Sequence, residues 1–129
     1  MVQSYRDLRV WNLAMNLVER TYRLTRSFPR DEAYVLTSQV RRAAVSIPSN
    51  ISEGHSRPSS KEFLRYLSIA SSSLAELETQ IEIARRLGYV QANDANEFER
   101  DADSLGRQMR ALSKALQRSA SPQSPVPSP

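Results

Sequence analysis

A chain of 129 residues suits a single domain with one core, and its balance of two-fifths hydrophobic to one-quarter charged residues is that of a soluble globular protein. The absence of cysteine excludes disulfides, thiolate chemistry and cysteine-based metal sites. No run approaches the ~20 apolar residues that cross a bilayer. "MVQSYRDLRVW" also lacks the basic-then-apolar order of a secretory leader, so a cytoplasmic protein without membrane contact is expected.

The net charge is +4, and sixteen of the eighteen basic residues are arginine. Arginine grips phosphate through a fixed fork, which suits a nucleic-acid partner. The same bias also follows from GC-rich coding, and +4 is modest for a dedicated nucleic-acid binder.

Four periodic segments follow one another, with short breakers between them. The first covers about residues 6–27 and ends at "SFPRDE", where Pro29 blocks continuation. Asp31 offers an N-cap or a first-turn carboxylate for the second, residues 31–54, which ends at Gly54. After Pro58, Ser59 and Glu62 form an S-x-x-E capping box opening the third, residues 60–87, with Gly88 as its stop. Asn93 is placed to cap the fourth, residues 93–118. The remainder, residues 119–129, is Ser/Pro-rich with nothing to bury and is expected to be disordered or extended.

Apolar residues recur at three- and four-residue steps, as in Phe63, Leu67, Ala70, Leu74, Leu77, Ile81 and Ala84 of the third segment. No alternating strand pattern bounded by hairpin turns is present. Four helices of similar length, each about 35–40 Å long at 1.5 Å per residue, joined by short loops, predict an all-α fold. Its form is an antiparallel up-down-up-down four-helix bundle spanning residues 1–118.

Helix 1 carries two apolar stripes: Leu8, Trp11, Met15, Val18 and Tyr22, and, on another side, Val10, Leu13, Leu17 and Leu24. Small residues Ala14, Thr21 and Thr25 lie between them. A bundle helix packed on one side needs an arc of only about 100°, and this one is nearer 200°. The surplus assigns Val10, Leu13, Leu17 and Leu24 to contact with another copy of the chain. The alternative is that helix 1 lies deep among the other three.

In the second segment the stripe Leu36, Val40, Ala43, Ile47 and Ile51 continues straight through Pro48. A helix bent at Pro48 keeps that phase, whereas a helix ending at Ile47 does not. "SIPSNISEG" has one glycine and no Gly-Lys pair, so it is not a phosphate-binding loop. Asn50, at the edge of the stripe, either satisfies backbone groups near the bend, fixes helix register, or faces solvent.

The run "LRVWNLAMNLVERTYRLTRSFPRDEAYVLTSQVRRAAVSIPSNISEG", followed by "KEFLRYLSIASSSLAELETQIEIARRLGYV", resembles the four-helix-bundle proteins of bacterial 23S rRNA intervening sequences. The resemblance covers about residues 5–90, and the fourth helix by pattern only. Its specific parts are Val10-Trp11, Phe28-Pro29, Gln39 with Arg41-Arg42-Ala43-Ala44, "SIPSNISEG", "ELETQ" and Leu87-Gly88-Tyr89. Val35 and Ser72 stand where glycine is usual, and Ser52 where alanine is. The resemblance implies a homopentamer, a ring of bundles around a central channel. It also implies kinship with the accessory variability determinant of diversity-generating retroelements, a basic pentameric barrel that binds nucleic acid and a reverse transcriptase. It supplies no catalytic residue and no cofactor.

Catalytic constellations are scarce. His55 is the only histidine, read as a solvated loop residue. Bundle di-metal sites need glutamates from several helices with Glu-x-x-His pairs, which this chain lacks, and Glu82 is expected to pair with Arg85 or Arg86. Ser71, Ser72 and Ser73 are read as permitting close helix approach. No enzyme, metal or cofactor is expected.

Charge is more informative. Arg9, Arg20 and Arg23 on helix 1, with Arg41 and Arg42 on helix 2, form the candidate nucleic-acid surface. Helix 4 places acidic residues early and basic ones late, which is read as structural, with pairs such as Asp103–Arg107. These features predict a non-enzymatic homo-oligomeric scaffold binding RNA non-specifically. The alternative is a protein-interaction scaffold without nucleic-acid affinity, and a third reading is an enzyme or small-molecule binder using the bundle interior or ring channel.

Overall fold

The computed structural model describes residues 4–120. Four α-helices fill the chain: α1 Arg9–Thr25, α2 Leu36–His55, α3 Ser60–Arg86 and α4 Ala92–Ala120. Short 3-10 turns at Tyr5–Asp7 and Arg30–Glu32 precede α1 and α2. Each helix packs on the next and α1 packs on α4, which closes a four-helix bundle. Ser46 meets Ser73, while Gly54, further along α2, sits against Phe63 and Tyr66, nearer the start of α3. The α2–α3 contacts thus run in opposite senses. The tail expected at 119–129 lies outside the described residues beyond 120, and residues 119 and 120 close α4.

α2 continues through Pro48, which lies buried inside it, and Ile47 and Ile51 on either side are fully buried. The unbroken apolar phase read in the sequence is thus the core stripe. Asn50 Nδ2 donates to the Ser46 carbonyl (2.8 Å) and to Ser46 Oγ (3.0 Å), and Ser46 Oγ lies 2.8 Å from the buried Ser73 Oγ on α3. One polar chain beside Pro48 therefore ties α2 to α3. Of the three small serines, only Ser73 faces the neighbouring helix; Ser71 and Ser72 are exposed.

Helix ends follow sequence signals in two places and depart from them in three. Gly88 adopts φ +82°, and the amides of Gly88 and Tyr89 donate to the carbonyls of Arg85 (3.0 Å) and Ala84 (2.9 Å), the paired bonds of a left-handed helix stop. Ser59 Oγ accepts from the Glu62 amide at 3.2 Å, capping α3. Asp31, by contrast, does not cap α2: it sits in a 3-10 turn, and Glu32 Oε1 accepts from the Leu36 amide instead (3.4 Å). Asn93 lies inside the first turn of α4 rather than before it.

Gly54 does not stop α2 either. A Cβ there meets Tyr66 Cβ at 2.7 Å, Phe63 Cδ1 at 2.9 Å and the Phe63 carbonyl at 3.3 Å, so the two helices touch backbone to side chain at this point. Helix propensity favours alanine by about 1 kcal/mol. Overpacking against a neighbouring Cβ and a backbone oxygen opposes it with about 1–3 kcal/mol. Gly54→Ala is therefore expected to be net destabilising by about 1 kcal/mol, read as a lower denaturation midpoint; a midpoint above wild type contradicts the close approach.

Candidate functional site

The core uses the second of the two α1 stripes. Val10, Ala14, Leu17, Thr21 and Leu24 are buried within the protomer, and Leu17 is fully covered. Truncating such a leucine costs about 2–5 kcal/mol in a packed core. Val10, Leu17 and Leu24 therefore hold the protomer together, and the assignment of these residues to an intersubunit contact is corrected. Leu13 is half-buried at the α1–α4 edge beside Arg20 and Asp101.

The first stripe lies outside. Leu8, Trp11 and Val18 pack partly on the core, Met15 is half-buried, and Tyr22 is exposed. Tyr5 meets Trp11 edge-on, with ring centroids 5.2 Å apart. Larger apolar exposure occurs in two places. Tyr22, Tyr34 and Val45 line one groove between α1 and α2, and Tyr34 is 95% exposed. Ile69, Ile83 and Leu87 share the outer face of α3 at helical spacing.

The five candidate arginines separate into three groups. Arg20 is tied to α4: its Nε donates to Asp101 Oδ2 (2.5 Å) and its Nη1 to Glu97 Oε1 (3.0 Å). Burial works against the guanidinium charge, but the two carboxylates outweigh it and raise its pKa. Arg41 lies over the Tyr22 ring, 4.6 Å from its centroid, and its Nε donates to Thr25 Oγ1 at 2.8 Å. Arg9, Arg23 and Arg42 are exposed and make no ion pair among the described residues. Arg20 leaves the candidate phosphate surface because acidic residues 77 and 81 positions away in sequence already hold it.

Helix 4 also departs from expectation. Asp103 and Arg107 form no ion pair; Asp103 instead joins Glu78 and Glu99, their nearest carboxylate oxygens all within 4.8 Å of one another. Desolvation, then the like charges of Glu99 and Asp103, raise the Glu78 pKa, with Arg110 opposing. Desolvation followed by Asp103 and Glu82 does the same for Glu99. The i,i+4 pair Glu99/Asp103 was the sequence signal for this cluster; the third member comes from α3. The cations Arg100, Arg107 and Lys114 are exposed and recur at seven-residue intervals, which places them on one face of α4.

Glu82 pairs with both Arg85 (2.6 Å) and Arg86 (2.9 Å), and hydrogen bonds from these two hold its pKa down to about 2. His55 is the last residue of α2, half-buried and edge-on to Phe63, rather than a solvated loop residue. No helix among the described residues is long and apolar enough to cross a membrane.

These features define an all-α four-helix bundle with charged outer faces. The chain belongs to the 23S rRNA-intervening sequence protein family, whose model matches residues 6–111. It is similar in fold to a crystal structure from Bacteroides thetaiotaomicron, described as a protein with unknown function from the S23 ribosomal protein family. The TM-score is 0.75 at 22% identity, covering 81% of this chain and 98% of that one. Among curated proteins none matches the chain.

Since Arg20 acts between helices, Arg20→Ala is expected to destabilise the fold by about 1 kcal/mol, at the upper end for partly exposed pairs. The same variant leaves the salt dependence of any RNA binding unchanged. A normal midpoint with a shallower salt slope contradicts this placement.

Proposed function

We propose that the protein is a homo-oligomeric helical scaffold that works by binding rather than catalysis, and that the assembled particle binds RNA through repeated exposed cations. The observation that carries this reading is the exposed apolar groove of Tyr22, Tyr34 and Val45 between α1 and α2, with Ile83 and Leu87 exposed at the end of α3, left over once the core is complete. Large apolar side chains grouped on outer faces mark protein contact surfaces. Five copies, the number implied by the family resemblance, turn a +4 chain into a particle of about +20. Weak phosphate contacts then add through multivalency.

Among the exposed cations able to meet phosphate are Arg9 and Arg23 on α1, Arg42 on α2, and Arg100, Arg107 and Lys114 on α4. Contacts of this kind read charge, so the binding is non-specific. The loss of Arg20 and Arg41 to internal contacts favours the second reading, a scaffold for protein partners without RNA affinity.

Light scattering coupled to size exclusion is expected to give a multiple of the 14.6 kDa chain mass. Anisotropy with a structured RNA is expected to show log K falling linearly with log salt. In the double variant Arg9→Ala/Arg23→Ala the slope falls by about two, roughly one per lost phosphate contact. An assembled protein with no RNA binding at low salt selects the second reading. A single-chain mass at micromolar concentration contradicts both.

A further inference from the structure

Two grooves of opposite character lie on opposite sides of the bundle. Between α1 and α2, Arg41 and Arg42 stand beside Tyr22, Tyr34 and Val45. Between α3 and α4, Glu78, Glu82 and Glu99 stand beside Ala75, Thr79 and Ile83, with Asp103 adjoining; the one arginine in this lining, Arg86, is held on Glu82. α1 packs on α2 and α4 but not on α3, so the two grooves face away from each other.

Neither groove is electrically satisfied within the protomer. Glu82 is matched by Arg85 and Arg86, but Glu78, Glu99 and Asp103 make no ion pair among the described residues. Arg110 is the cation felt at Glu78. On the other side, Arg41 is fixed on Tyr22 and Thr25, whereas Arg42 is exposed with no carboxylate within ion-pair distance. Each groove also exposes apolar side chains: Tyr22 and Val45 at 38% and 41%, Ile83 at 43%.

We infer that the α1–α2 groove of one copy docks on the α3–α4 groove of the next, with Arg42 meeting the Glu78–Glu99–Asp103 cluster and Tyr22 and Val45 covering Ile83. This rests on the oligomeric reading above and names its joint. Charge decides the symmetry. Either groove placed against itself opposes arginine to arginine or carboxylate to carboxylate, so a two-fold contact through one face is disfavoured. A contact between unlike faces leaves every copy with one free half of each kind, so it repeats head to tail, closing into a ring or running on as a filament. The free guanidinium supplies the planar, multidentate donor that clustered carboxylates accept best.

Charge reversal at the two exposed positions tests the joint. Arg42→Glu and Glu99→Arg are each expected to weaken self-association at least tenfold by light scattering and sedimentation. The chain carrying both changes is expected to regain part of the lost assembly, because positions 42 and 99 again bring opposite charges together. Arg42→Gln and Glu99→Gln are expected to fall between, and circular dichroism melts near wild type show that each variant is folded. Single variants that assemble like wild type, or a double variant no better than the singles, overturn the joint while leaving an oligomer through other faces. A wild-type chain that is itself monomeric overturns the oligomeric reading and the joint with it.

Discussion

The seating of one arc of α1 between α2 and α4 is the contact on which the rest of the molecule depends. Val10, Ala14, Leu17, Thr21 and Leu24 fill that space, and Thr21 satisfies its own hydroxyl by donating to the Leu17 carbonyl at 2.7 Å. Because a helix turns 100° per residue, choosing this arc as the inside fixes what every other α1 side chain meets. Arg20 falls on the α4 flank, within reach of Glu97 and Asp101. Tyr22 and Thr25 fall on the α2 flank, where Arg41 packs. Arg9 and Arg23 point to solvent, and Trp11, Met15 and Val18 are left half-covered.

Local signals made most of the bundle legible. Apolar periodicity located all four helices, and unbroken phase through Pro48 argued correctly against a helix end there. Gly88 and Ser59 act as read because a left-handed stop and a hydroxyl cap depend only on neighbours a few residues away. The choice between the two α1 arcs was not legible, since both are apolar and the deciding contacts come from α2 and α4. One hint was present: small Ala14 and Thr21, which allow close approach, lie beside the arc that is buried. Arg20 was misplaced for a related reason, as its carboxylate partners sit on a distant helix. Asp31 failed as a cap because the chain makes a 3-10 turn before α2 begins at Leu36.

The same division of surfaces connects fold to function. Internal ties take Arg20 and Arg41 out of any direct phosphate contact, and the remaining cations are dispersed over outer faces. Dispersed cations on one protomer bind a polyanion weakly. Repetition in an assembly changes that without any new chemistry, since each added copy contributes at high effective concentration. The uncompensated carboxylates between α3 and α4 have the opposite consequence. They repel one another in the isolated protomer, and in the proposed assembly a neighbour that brings a cation relieves that repulsion.

Trp11, the only tryptophan of the chain, lies on the outer arc of α1 and is half-buried in the protomer, so its emission reports on that arc directly. Trp11 lies outside the α1–α2 groove, so dilution from micromolar to nanomolar concentration is predicted to lower the scattered mass while its emission stays constant. A single-chain mass throughout the range, or a red shift of the emission in step with falling mass, would contradict association through the joint at that groove.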